Sequence, residues 1–177
     1  MQIKDKTEIK KVKTTWDKGH GLSIDWIHNL VYYSMDKKIT VFNMTHTRYE
    51  FVVIEEVDYI IDLSVNPLDS TIFYSTFNSS QKKGKIMKSS QDGSERTVLR
   101  DKNIIYPRDL TIDLVLKKVI WIDRDLKTYS SIDFDGNNFL TLGSFKSGSN
   151  DFLWIFLMTI FIGLDIMKIL YLKLNLE

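Results

Sequence analysis

Short apolar runs separated by polar turns cover most of the chain, and one arrangement of them occurs three times. It reads GLSIDWIHNLVYYSM from Gly21, DLSVNPLDSTIFYST from Asp62 and DLTIDLVLKKVIWID from Asp109. The copies have equal length and unequal gaps between them, as stacked supersecondary units with loop insertions should. In the third copy Leu110–Ile112 alternates with polar neighbours, Lys117-Lys118 makes a turn, and Val119–Ile122 is β-branched and aromatic. Such residues suit a pleated, half-buried surface, so each copy predicts a hairpin.

A second, weaker pair of runs follows each copy. In the middle unit these are Lys85–Lys88 and Arg96–Leu99, joined by Gln91-Asp92-Gly93-Ser94. In the third they are Tyr129–Ile132 and Phe139–Leu142, joined through Asp135-Gly136. Asp-Gly predicts a two-residue hairpin turn, because glycine tolerates positive φ. The first unit places Thr45-His46-Thr47 there, without glycine. The slack between units falls in the loop carrying Asn78–Gly84. Four short strands per unit of about 40–45 residues predict β-propeller blades. A helical repeat would space its apolar residues by three and four, and these runs do not. Leu22, Leu63 and Leu110 should then hold equivalent places on successive sheets.

At these residues the chain resembles the low-density lipoprotein receptor family in its YWTD (class B) repeats. The usual repeat enters with Gly-Leu-Ala-Val-Asp and continues to Tyr-Trp-Thr-Asp. The entries here are Gly21-Leu22-Ser23-Ile24-Asp25-Trp26, Asp62-Leu63-Ser64-Val65-Asn66-Pro67 and Asp109-Leu110-Thr111-Ile112-Asp113. The YWTD positions hold Tyr32-Tyr33-Ser34-Met35, Phe73-Tyr74-Ser75-Thr76 and Ile120-Trp121-Ile122-Asp123. The stretch from Trp121 to Gly136 is similar to a middle blade of lipoprotein, lipophorin and vitellogenin receptors. The resemblance covers residues 19–142. It implies an all-β fold, a partial six-bladed YWTD β-propeller of about three four-stranded blades. It also implies that the motif aspartate, kept only as Asp123, ties blades together by hydrogen bonds. Met35 and Thr76 stand in its place elsewhere, which implies two more loosely held blades.

A six-bladed ring needs about 240–270 residues, so three blades leave two open faces. The simplest expectation is a fragment or incomplete gene product; assembly with a second half is the alternative. The expected organisation is a charged segment over 1–18, with Thr7–Val12 a candidate outer strand of a preceding blade; blades over 19–143; a linker over 144–150; and an apolar helical tail over 151–177. The first segment has no apolar core and does not read as a secretory signal. Phe152–Leu174 is long enough for a bilayer. Asp165 and Lys168 each oppose insertion by about 2.5–3.5 kcal/mol, against about 0.3–0.6 kcal/mol gained by each of the most apolar residues. A membrane span and fortuitously apolar readthrough both stay open, the second slightly preferred.

Composition narrows the function classes. The chain is 44% hydrophobic and 27% charged, with a net charge of +1. That is ordinary globular composition and gives no electrostatic argument for nucleic acid. Without cysteine there are no disulfides or thiolate metal sites. Alanine is absent too, which signals a compositional bias in the coding sequence.

The carboxylates recur once per unit, with Asp25 and Asp113 in register with Asn66. A catalytic pair has no reason to recur so. No Ser/His/Asp elbow, metal-spaced cluster or glycine-rich phosphate loop is present, so no catalytic residue, metal or cofactor is assigned. Some six-bladed propellers are hydrolases holding calcium on the axis, but the acidic and His set this requires is missing. Trp26, Tyr33, Tyr74 and Trp121 read as blade-packing aromatics, with Tyr32 and Phe73 beside them in the motif. Lys82-Lys83 reads as solvated loop charge.

The sequons at Asn43 and Asn78 are glycosylation candidates in predicted loops. Of the histidines, His20 and His46 read as surface residues without a role. His28, in the Trp-Ile-His-Asn turn, should reach solvent and is the pH-switch candidate, since imidazole titrates in the endosomal range. By resemblance the chain is a non-catalytic piece of an endocytic lipoprotein or vitellogenin-type receptor ectodomain, whose propeller assists acid-dependent ligand release. The implied partners are lipoprotein or yolk-protein ligands and adjacent receptor modules, with a parent at the extracellular face of the plasma membrane and in endosomes. The alternatives are a small tail-anchored membrane protein and an intracellular propeller-type scaffold.

Overall fold

The computed structural model describes residues 19–45 and 49–145. The outer strand expected at Thr7–Val12, His46, the linker beyond residue 145, the apolar helix over 151–177 and the span at Phe152–Leu174 lie outside these. Among the described residues the chain is all β, and no helix is long and apolar enough to cross a membrane.

Twelve strands form three four-stranded antiparallel meanders. The first has β1 (Gly19–Asp25), β2 (Leu30–Met35), β3 (Lys38–Asn43) and β4 (Glu50–Glu55). The second has β5 (Tyr59–Asn66), β6 (Thr71–Asn78), β7 (Lys83–Ser90) and β8 (Thr97–Arg100). The third has β9 (Pro107–Asp113), β10 (Lys118–Asp123), β11 (Thr128–Asp133) and β12 (Leu140–Ser144). The first strands pack side by side, β1 on β5 and β5 on β9, so successive blades fan from a shared inner edge.

Register confirms the equivalence of the copies. Leu22 lies opposite Tyr33 and Leu63 opposite Tyr74. Asn29, Ser70 and Lys117, the same position in each inner turn, all take left-handed φ of 57°, 54° and 53°. Their carbonyls accept the amides of Met44, Gln91 and Phe134 at 2.9, 2.8 and 3.0 Å. Each blade thereby fastens its inner turn to the end of its third strand.

The middle strands are apolar on both sides, and the two sides enter different cores. Tyr32, Ile39 and Ile54 of the first blade pack with Leu63, Val65, Ile72 and Tyr74 of the second. Phe73 and Ile86, on the reverse of the second blade, pack with Leu110, Ile112, Val119, Trp121 and Ile132 of the third. Leu22 is different: it is 50% exposed, against 2% for Leu63 and 5% for Leu110. Its register is equivalent, but no described sheet lies on its side of the first blade.

The Asp-Gly turns are longer than two residues. Gly93 donates to the Ser90 carbonyl at 2.9 Å, and Ser90 donates to the Ser94 carbonyl at 3.0 Å. Gly136 and Asp133 repeat the pattern with Asp133 and Asn137. This is the three-residue hairpin, in which a type I turn ends on a left-handed residue. Gly93 and Gly136 supply it with φ of 84° and 86°. Gly93 has a second duty, because a Cβ there would lie 1.8 Å from the Val53 carbonyl oxygen of the first blade. At Gly136 the nearest atoms, on Leu99, would be 3.4 Å away. Both Gly→Ala variants incur the left-handed penalty, but only Gly93→Ala pushes two blades apart. Denaturant melts should show losses of about 3 kcal/mol or more for Gly93→Ala and about 1 kcal/mol for Gly136→Ala. Equal losses would exclude the inter-blade contact as the cause.

Candidate functional site

The inner turns set out the repeated carboxylates. Asp25, Asn66 and Asp113 are all buried at the ends of β1, β5 and β9. Asp25 Oδ1 accepts the amides of Ile27 and His28, both at 2.9 Å. Asn66 Oδ1 accepts Leu68 N–H at 3.0 Å. Asp113 Oδ1 accepts Val115 and Leu116 N–H at 2.9 and 2.8 Å. These side chains replace the strand ladder where the backbone reverses.

Asp25 alone among the three goes further. Its Oδ2 accepts His28 Nδ1 at 2.7 Å and Gln91 Nε2 at 3.0 Å. Gln91 stands in the β7–β8 turn of the next blade, so one buried carboxylate joins an exposed imidazole to an inter-blade contact. Burial pushes the Asp25 carboxyl up, but the side chain and amide of His28, then Gln91 and the Ile27 amide, outweigh it and hold it below the usual carboxylate range. The His28 side chain is 52% exposed and so faces solvent beside its buried partner. With Nδ1 held as a donor to Asp25, Nε2 of the neutral ring is an acceptor; protonation turns it into a charged donor.

Trp26 and Ile27, next to His28, are also exposed. Trp26 is therefore no blade-packing aromatic. It occupies the turn rather than a strand, at the position of Pro67 and Leu114. Tyr32, Tyr33, Phe73, Tyr74 and Trp121 are buried. Tyr33 donates to Glu50 and Tyr74 to Glu56, each at 2.7 Å. Burial, aided by the charges of Asp25 and Asp92, pushes the Tyr32 hydroxyl up to about 12. Burial and the carboxylate of Glu56 push Tyr74 higher still. Asp123 accepts the amides of Ile105 and Tyr106, which lead into β9, and those of Asp125 and Leu126 in the next turn. Its position is buried Thr76 in the second blade and exposed Met35 in the first.

Among the described residues no group of three or more His, Asp or Glu is placed to hold a metal. The candidate glycosylation sites differ. Asn43 Oδ1 accepts the Thr45 amide and hydroxyl, at 2.8 and 2.5 Å, whereas Asn78 donates its Nδ2 to Asp58 at 2.7 Å.

No family profile matches the chain. Low-density lipoprotein receptor-related protein 5 of mouse is 31% identical over 125 residues, 70% of this chain. The human protein of that name is 30% identical over the same length. Chicken low-density lipoprotein receptor-related protein 8 is 32% identical over 117 residues, 65% of this chain. The three sheets are homologous to the YWTD repeats of the low-density lipoprotein receptor family. The match spans 8% of the mouse and human proteins and 12% of the chicken one. The fold agrees: a chain in a crystal structure of a nidogen/laminin complex superposes with a TM-score of 0.64 at 23% identity, covering 71% of this chain and 48% of that one.

One residue departs from the YWTD pattern with a physical consequence. The entry glycine is kept as Gly21 but replaced by Asp62 and Asp109. Asp62 Oδ1 accepts Leu63 N–H at 2.8 Å, and Oδ2 accepts Leu110 N–H of the third blade at 2.7 Å. The first blade comes just as close: a Cβ on Gly21 would lie 2.4 Å from Asp62 Oδ1. Asp62 is thus a clasp where three inner strands meet. Burial is the main cause that pushes its carboxyl up to about 7; the two amides and Arg108 pull it down, and Asp109 adds to the rise. Unfolded Asp ionises near pH 4, so between about pH 4 and 7 the folded chain binds the extra proton. Stability must therefore fall as pH rises through this window and level off above it. Unfolding free energies from denaturant melts at about pH 5 and 8 should differ by on the order of 2 kcal/mol, higher at pH 5. Asp62→Asn should remove this slope whatever its effect on absolute stability. An unchanged slope in the variant would rule out Asp62 as its source.

Proposed function

We propose that the chain is a segment of an endocytic receptor ectodomain of the lipoprotein or yolk-protein class. In this reading it catalyses nothing, its parent lies on the extracellular side of the plasma membrane and in endosomes, and its propeller assists the release of cargo on acidification. The observation that carries the reading is the Asp25–His28 pair, whose carboxylate also holds Gln91 of the next blade. The relatives support it by their names, both being related to a lipoprotein receptor.

The mechanism follows from the imidazole. With Nδ1 donated to Asp25, Nε2 of the neutral ring is an uncharged acceptor. On protonation it becomes a cationic donor, held in place by Asp25 and flanked by exposed Trp26 and Ile27. An acidic receptor module then gains a charge-assisted contact that exists only at low pH. Cargo bound to that module is displaced by competition, without rearrangement of the blades.

The test uses a propeller completed to six blades and the receptor's ligand-binding modules. Affinity should rise on going from about pH 7.4 to about pH 5, and His28→Ala should remove roughly 5–10-fold of that rise, equal to about 1–1.4 kcal/mol. Binding that ignores pH, or an acid response untouched by the variant, would remove the basis for the proposal. Passage through the secretory pathway predicts a glycan as well. Asn43, whose amide nitrogen is not drawn into the Asp58 contact that engages Asn78, should carry it. Secreted protein should lose a glycosidase-sensitive mobility shift in Asn43→Gln and keep it in Asn78→Gln.

A further inference from the structure

One outer wall of the first blade has a composition that its fold does not require. Leu30 lies opposite Asn43 and Val41 opposite Phe51, so these side chains share one face of β2, β3 and β4, with Tyr49 at the mouth of β4. Together they line a cavity of about 240 Å³. Leu30 and Val41 reach the core shared with the second blade, but Tyr49 and Phe51 are 69% and 63% exposed. Register fixes the corresponding wall of the second blade, where Thr71 lies opposite Ser90 and Lys88 opposite Thr97. These residues, with Glu95 in the place of Tyr49, line a cavity that Phe134 and Asp135 of the third blade complete. There Lys88 Nζ donates to the Phe134 carbonyl at 3.2 Å. The fold thus accepts polar side chains at each of these places. The aromatic rings of the first blade are surplus to the sheet, and an exposed apolar wall of this kind marks a contact surface.

The sequence itself tethers one occupant to this wall. Asn43 heads the sequon Asn43-Met44-Thr45. Its Oδ1 is taken by the amide and hydroxyl of Thr45, so Nδ2, the atom that takes a sugar, is not the one held by the turn. Neighbours on one sheet face stand about 4.5–8 Å apart, which puts the first sugar on Nδ2 within reach of Tyr49 and Phe51. One side of a pyranose ring is a face of C–H groups, and the negative face of an aromatic ring attracts it. A partner protein docking on this wall would first have to displace the same sugar.

We propose that the N-linked glycan of Asn43 folds back on its own blade, with its first N-acetylglucosamine seated on Tyr49 and Phe51. This rests on the passage through the secretory pathway inferred above. In the transfer, Asn43 Nδ2 gives up a proton and bonds the anomeric carbon of the sugar, which leaves its lipid diphosphate carrier. The side chain stays neutral. The sugar covers the two rings and turns its own polar groups to water.

The test uses the secreted propeller completed to six blades. Tyr49→Glu combined with Phe51→Thr installs the residues that the second blade already tolerates, so the sheet should survive. Asn43→Gln removes the sugar in either background. It should lower Tm by about 2–4 °C more in the natural chain than in the double variant. Trimming the glycan to its first N-acetylglucosamine should leave Tm in place. Equal losses in the two backgrounds would overturn the proposal while the glycan, and the secretory reading with it, stood. A fall in Tm on trimming would overturn it too, by moving the contact to the outer sugars. Absence of any glycosidase-sensitive shift at Asn43 would overturn both. Light scattering that finds the glycosylated protein dimeric, and monomeric once Tyr49 and Phe51 are replaced, would give the wall to a second copy and likewise overturn the proposal.

Discussion

Each of these sheets is apolar on both faces, and that governs everything else in the molecule. A sheet with one wet face can close a domain by itself. A sheet with Tyr32 on one side and Tyr33 on the other, or Phe73 and Tyr74, needs a neighbour on each. Stacking twisted sheets by their faces turns each about a shared edge, which is why β1, β5 and β9 come together. The blade is thus the unit of sequence, but the junction between blades is the unit of stability. Residues decisive at a junction, such as Gly93 against Val53 or Asp62 between Leu63 and Leu110, belong to two blades at once.

The turns obey a second, local rule. Nearly every hairpin is fastened by an Asp or Asn whose Oδ1 takes the amide two residues on: Asp25, Asn43, Asn66, Asp92, Asp113, Asp123 and Asp135 all do so. The turn is thereby closed by its own first residue. This frees the remaining turn residues from structural duty and leaves Trp26, Ile27, Leu68, Val115 and Leu116 exposed. The abundance of carboxylates in the sequence is mostly this fastening.

These rules explain what could be read from the sequence and what could not. Alternation within a strand and the spacing of turn residues are local, so the three units, their four strands and the equivalence of Leu22, Leu63 and Leu110 were legible. The burial of those leucines was not, because it depends on which blade stands next to each. Trp26 was misread because an aromatic in the motif says nothing of whether it ends in a strand or a turn. The Asp-Gly turns were placed correctly but assigned too short a loop, since the dipeptide does not specify which residue takes the left-handed conformation. Asp62 carried a signal in its departure from the entry glycine. Its meaning lay in Leu110, far along the chain. Gln91 gave no signal at all: a glutamine in a turn is ordinary until Asp25 is found beneath it.

Asp25 and Asp62 show how the same two rules set opposite responses to protons. Both carboxylates lie at inner strands and both are desolvated. Asp25 collects four donors, two amides, an imidazole and a carboxamide, and stays ionised below the usual range. Asp62 collects two amides and gains a proton near neutrality. Its Oδ1 faces Gly21 of the first blade, where a Cβ would meet it at 2.4 Å. Acidification therefore removes charge from the clasp between blades while the carboxylate under His28 keeps its own. Protonation of Asp62 thus strengthens the junction of the inner strands, while the network around Asp25 is left as it stands.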